Sequence, residues 1–213
     1  MLADQYFLIA HEDRTGRSRL HPRATGLGLA AALLGELMLE GRLRIIEGDL
    51  HIVSRQPPSD ALSHDILDLL INQPQHRDVR TWLAFLSQDA AVRVGERLTR
   101  LGAVESVTRR KMLGSTTTLY MPNNPAQRNA AAWAPARLAN LLMRGMEMSV
   151  SDRLLVGLIA ATGLTRHVLY DYEVHRHAFL MLPNAVHSLP GDLYELVEYT
   201  EASVGSVLTA GRR

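Results

Sequence analysis

Apolar residues recur at helical spacing through most of the chain, and two short stretches alternate instead. Leu27, Ala30, Ala31, Leu34, Leu37 and Met38 repeat at three and four positions, which predicts a helix that stops at Gly41. Directly after it, Leu43, Ile45, Leu50 and Ile52 alternate with polar residues across Glu47-Gly48-Asp49, the pattern of a β-hairpin. Leu62, Ile66, Leu69 and Leu70 mark a helix over 61–71, entered through the capping chemistry of Ser59-Asp60. The run 79–86 predicts another helix, with Trp82 and Phe85 as bulky core candidates, and 90–101 a further one that ends at Gly102. A second hairpin is expected over 104–120, with Met112-Leu113-Gly114-Ser115 near its tip.

The flanks are less sharply patterned. Residues 2–10 read as a short helix or a buried strand, and Asp13-Arg14-Thr15-Gly16-Arg17 as a polar turn. Thr25 is the expected cap of the helix after it. The Ala- and Leu-rich run 126–144 is helical, although Pro135 must kink it or start a new segment. Ser151-Asp152 is the expected cap of a helix over 153–161, and 164–207 predicts two more helices divided by Pro183 and Pro190. The fold class is therefore mainly α, one globular helical domain over residues 1–213 carrying one or two β-hairpins.

Composition narrows the function. Lys+Arg 23 against Asp+Glu 22 leaves a net charge of +1, without the basic excess typical of nucleic-acid binders. Cysteine is absent, so there is neither a disulfide framework nor thiolate chemistry, which suits the cytoplasm. The N-terminus lacks the charged and apolar regions of a signal peptide, and 27–39 is too short to span a bilayer and contains Glu36. Any membrane contact is expected to be peripheral.

No phosphate loop, nucleophile elbow or zincin motif is present, and Gly26-Leu27-Gly28 lacks the third glycine of a dinucleotide fingerprint. In Tyr170-Asp171-Tyr172-Glu173-Val174-His175-Arg176-His177 the two histidines are at i and i+2, which a helix sends to different faces, so a solvated polar face is expected. The chain is expected to be non-enzymatic, with no cofactor and no metal. The chemistry that remains is guanidinium chemistry. His21 and Arg23, with Arg93 and Arg97 on the 90–101 helix, are candidate ligands for lipid phosphate. Arg109, Arg110, Lys111, Met112 and Leu113 form a basic and apolar hairpin tip suited to a membrane interface or to oligomer contact.

The segment Gly35-Glu36-Leu37-Met38-Leu39-Glu40-Gly41-Arg42-Leu43, following a helix of small residues, resembles the Golgi phosphoprotein 3 family and its yeast vacuolar-sorting relative. The likeness begins at Leu2-Ala3-Asp4, runs through Leu8 and Asp13-Arg14-Thr15-Gly16, and resumes at Val79-Arg80-Thr81-Trp82 and at 98–102. It is weak in the C-terminal third, and the Arg-rich composition fits a bacterial member. The resemblance implies a mostly helical fold with an apolar hairpin for membrane contact and self-association. It also implies a peripheral protein at the inner face of the membrane that binds phosphatidylinositol 4-phosphate. The family's headgroup tryptophan falls on His21, and its arginines fall on Ala30 and near Gln88 and Ala91, so none of these positions keeps the family residue. Arg23, Arg93 and Arg97 lie near enough in sequence to be substitutes.

Three functions follow as expectations. The first is a peripheral binder of anionic or phosphorylated lipid. The second is a soluble protein–protein adaptor that keeps the scaffold without the lipid. The third is a winged-helix DNA-binding regulator, for which only 90–101 has the residues of a recognition helix, and which the near-neutral charge disfavours.

Overall fold

The structure, a computed structural model, describes residues 1–110, 116–169 and 172–210. Its centre is α2 (Pro22–Leu39), buried without interruption from Ala24 to Met38. A helix with apolar or small residues on every side has no solvent face and must be surrounded. The neighbours that enclose it are α1 (Leu2–Ala10), α3 (Ala61–Asn72), α4 (Val79–Leu86), α5 (Ala90–Arg100), α7 (Val150–Thr162) and α10 (Gly191–Ala210). Small residues let these helices come close. At Gly28 a Cβ would overlap the Tyr6 ring, so Tyr6 on α1 lies flat against the α2 backbone and donates its hydroxyl to Thr162 on α7 at 2.9 Å. Burial pushes the Tyr6 phenol far above its ordinary pKa, so the bond is made by a neutral donor. A second layer, α6 (Pro125–Met143), the short α8 (Thr165–Val168) and α9 (Tyr172–His187), packs on α1 and α7.

The two expected hairpins form the only sheets among the described residues. β1 (Leu43–Ile46) pairs antiparallel with β2 (Asp49–Ile52), and Leu43, Ile45 and Leu50 turn inward. Glu47 and Gly48 take φ of 53° and 83°, the paired left-handed conformation that a tight two-residue hairpin turn needs. β3 (Glu105–Arg110) pairs with β4 (Thr116–Met121) from Glu105↔Met121 to Arg110↔Thr116. Every residue of β3 is exposed, and on β4 only Tyr120 is buried, against Phe7 and Gly95. One end of this hairpin is anchored and the other stands clear of the body.

Several local expectations are decided or corrected. Residues 2–10 are helical, because they pack lengthwise on α2 and α6 rather than pairing with a strand. The cap of α2 is His21, followed by Pro22 in the first turn, while Thr25 is buried inside the helix and bonds Ser18. Ser149 caps α7, one turn before the expected start. Pro135 and Pro183 sit inside continuous helices α6 and α9, so only Pro190 marks a boundary. Trp82 is buried with its indole N–H donating to the His76 carbonyl at 2.8 Å, whereas Phe85 is 47% exposed. The inward stripe of this short helix is Val79, Trp82, Leu83 and Leu86, which leaves Phe85 on its outer side.

Candidate anionic-lipid interface

The four arginine and histidine candidates of the helical body do not form one pocket. His21 is exposed and occupied at the start of α2, where its Nδ1 accepts from the Arg23 backbone N–H at 3.3 Å. Arg23 is exposed on the same first turn. Arg97 lies at the other end of α2, beside Glu36. At a rise of ~1.5 Å per residue, the helix from Arg23 to Glu36 separates the two ends by about 20 Å. Arg93, one turn before Arg97 on α5, pairs with Asp65 at 3.3 Å.

Arg97 has a structural task. Its guanidinium is 2% exposed and reaches Asp4 on α1 at 2.8 Å, Glu36 on α2 at 3.1 Å, and Asp60, the cap of α3, at 2.8 Å. Glu36 accepts in addition from the Ala3 backbone N–H at 2.8 Å, and Asp60 from Ser63 N–H at 3.1 Å. One buried cation therefore ties four helices together. Burial alone would lower the Arg97 pKa, but the Glu36 carboxylate and the two aspartates hold it above its ordinary value. For Glu36 burial wins over Arg97, and its carboxyl is pushed up. For Asp60, hydrogen bonds from Arg97 and Ser63 overcome burial and hold it below the ordinary range. Arg97 is thus withdrawn from the candidate ligands, because a guanidinium enclosed by three carboxylates has no donor left for a headgroup.

The same packing bears on α5 as the candidate recognition helix. With Arg97 buried and Arg93 paired, the exposed positions of α5 include Val92, Glu96 and Arg100, which is not a basic face.

The positions on which the resemblance places headgroup residues also separate by burial. Ala30 is fully buried, while His21 and Gln88 are exposed and share one end of the molecule, since Gly26 packs on the Ser87 carbonyl. That end carries Arg23 but, among the described residues, no buried guanidinium.

A different set of cations gathers at the projecting hairpin. Arg109 and Arg110 are exposed and lie opposite Thr117 and Thr116; Lys111, Met112 and Leu113 lie outside the described residues. The loop after α1 reaches the anchored end of the same hairpin. Its Glu12 N–H donates to the Arg17 carbonyl at 2.9 Å, and Gly16 turns with φ of 64° to face the Tyr120 carbonyl and Leu119. A Cβ at Gly16 would lie 3.1 Å from that carbonyl, tighter than an ordinary contact, and the left-handed φ there also favours glycine. Arg14 and Arg17, on either side of Gly16, are both exposed. From sequence this segment reads as a polar turn that also carries part of the family likeness. The lone signal of its role is a glycine flanked by arginines.

Among the described residues, no group of His, Asp and Glu is arranged to hold a metal ion, and no helix is long and apolar enough to cross a membrane. His175 and His177 do point to different faces, but His175 is 4% exposed, so the expectation of a wholly solvated cluster fails for it. Tyr170 and Asp171 lie outside the described residues.

A buried, small-residue central helix, an ion cluster that fastens its C-terminal end and a projecting hairpin define a mainly helical scaffold of one kind. The chain belongs to the Golgi phosphoprotein 3 family, matching Golgi phosphoprotein 3 (GPP34) over residues 2–188. No individual curated protein matches it. The motif that carries the likeness, Glu36 to Leu43, is explained by this scaffold. Glu36 holds Arg97, Gly41 ends α2, and Leu43 begins the first hairpin.

Proposed function

We propose that this protein is a non-enzymatic, peripheral membrane binder on the cytoplasmic side, and that the β3–β4 hairpin side meets an anionic lipid surface. The observation that carries the reading is the exposed hairpin bearing Arg109 and Arg110, with Arg14 and Arg17 held beside its base through Gly16. Cations spread along a projecting edge read surface charge. A single headgroup such as phosphatidylinositol 4-phosphate needs convergent guanidiniums, and His21, Arg23, Arg93 and Arg97 are divided between two ends of α2 and two ion pairs. The favoured ligand is therefore an anionic bilayer rather than one phosphoinositide.

Vesicle co-sedimentation tests it. Phosphatidylserine vesicles should pellet the protein, neutral phosphatidylcholine vesicles should not, and raising salt should weaken the binding. Near an anionic surface each Arg contributes about 1 kcal/mol, so Arg109→Ser with Arg110→Ser should weaken binding about thirtyfold. Equal pelleting with both vesicle types, or with neither, contradicts the reading. The second outcome leaves the soluble adaptor, with the hairpin available for protein contact or self-association.

A further inference from the structure

A cleft of about 390 Å³ opens between α1, α6, α8 and α9, with Asp13 and Arg19 of the loop after α1 on its edge. Its depth comes from α6. There the helix presents Ala131, Ala136 and Ala139 where larger apolar residues would close the gap, and Leu8 and Met143 complete an apolar wall. The rim is polar. Among the described residues, Arg19, His167 and His175 line it together with one carboxylate, Asp13. The Arg19 guanidinium has no hydrogen-bond or ion-pair partner among the described residues. It acts electrostatically on both His167 and the neighbouring His11. Burial and Arg19 together hold both imidazoles below their ordinary pKa, with Glu12 opposing this at His167 and the Phe7 carbonyl at His11. A half-buried cation beside largely neutral imidazoles, above a hydrocarbon wall, is complementary to an oxyanion on an apolar tail.

We propose that this cleft binds a small amphipathic anion, its alkyl chain along the α6 alanines and its phosphate or carboxylate at Arg19, His167 and His175. The inference does not rest on the membrane reading, since a monomeric ligand taken from solution uses none of the hairpin residues. Such a ligand would fill the space beside the α6 alanines and give Arg19 a partner.

Isothermal titration calorimetry with decyl phosphate, decanoate, decanol and inorganic phosphate, each kept below its micellar concentration, tests the proposal. Decyl phosphate or decanoate should bind at one site, decanol at least about tenfold more weakly, and inorganic phosphate without saturation. Whichever acid binds more tightly identifies the head. Arg19→Gln should bring the anion down to the affinity of decanol and leave decanol unchanged. Ala136 is solvent-facing, so Ala136→Trp should fill the cleft and abolish binding without lowering the melting temperature. Equal affinity for decanol and the anions overturns the proposal, as does binding that survives Ala136→Trp, or no binding at all. Vesicle pelleting should be unchanged in the Ala136→Trp variant, so failure here and failure of the membrane reading are distinguishable.

Discussion

At the C-terminal end of α2 the Arg97 guanidinium is enclosed by Asp4, Glu36 and Asp60, while at the hairpin Arg109 and Arg110 stand in solvent opposite threonines. The side chains are chemically the same, and their surroundings decide what they do. Around Arg97 water is largely excluded, three carboxylates surround the guanidinium, and the cation is committed to holding helices together. Around Arg109 nothing in the described protein competes for the charge, so it remains for a partner. An arginine on an amphipathic helix is thus a weak indicator of a ligand site, and one on an exposed strand a better one.

The comparison breaks most visibly at Arg97. Arg97→Met strands buried carboxylates, and the expected loss is about 3–5 kcal/mol of unfolding free energy in urea titration. A loss near that of a surface pair would mean the cluster is open to water. Gly16→Ala should cost less, about 1–2 kcal/mol, because it forces a side chain into a left-handed turn facing the Tyr120 carbonyl. It should also weaken vesicle binding, since Arg14 and Arg17 lose their place beside the hairpin; unchanged binding would remove them from the interface.

Proton linkage sharpens the buried side of the contrast. The folded-state pKa of Glu36 is raised above its ordinary 4.5, so the fold favours the protonated form. Its contribution to stability is fully present below 4.5 and declines as pH rises through the folded value. Relative to Glu36→Gln, the wild type should lose stability over that window by at most about 1.4 kcal/mol per pH unit. Asp60 runs the other way and loses its contribution as pH falls, so the difference between the two variants, and not the wild-type curve alone, isolates Glu36. A flat difference across the window would sink this assignment. The smallest effect is expected at Arg93. Its pair with the largely exposed Asp65 is screened, and Arg93→Ala should cost below about 0.5 kcal/mol and leave vesicle binding unchanged.

Much of the fold is legible in the sequence because burial leaves a periodic trace. The continuous apolar run of α2, the alternation in 43–52 and the stop at Gly102 all reappear as elements. Prolines mislead. Pro135 and Pro183 look like breaks, yet packing of α6 on α9 carries both helices through. The site is less legible, because pairing is a long-range property. Nothing local to Arg97 announces that Asp4, Glu36 and Asp60 converge on it, and nothing local to Gly16 announces Tyr120. His175 and His177 were separable by helical geometry, but which of them is buried depends on where α9 packs.

The most direct test sets the two surfaces side by side on phosphatidylserine vesicles. One variant replaces Arg14, Arg17, Arg109 and Arg110 with serine, and the other carries His21→Ala and Arg23→Ser. The account predicts that the first loses nearly all vesicle binding, that the second keeps it, and that both remain folded. Binding retained by the first and lost by the second would contradict it, and would move the lipid interface to the start of α2.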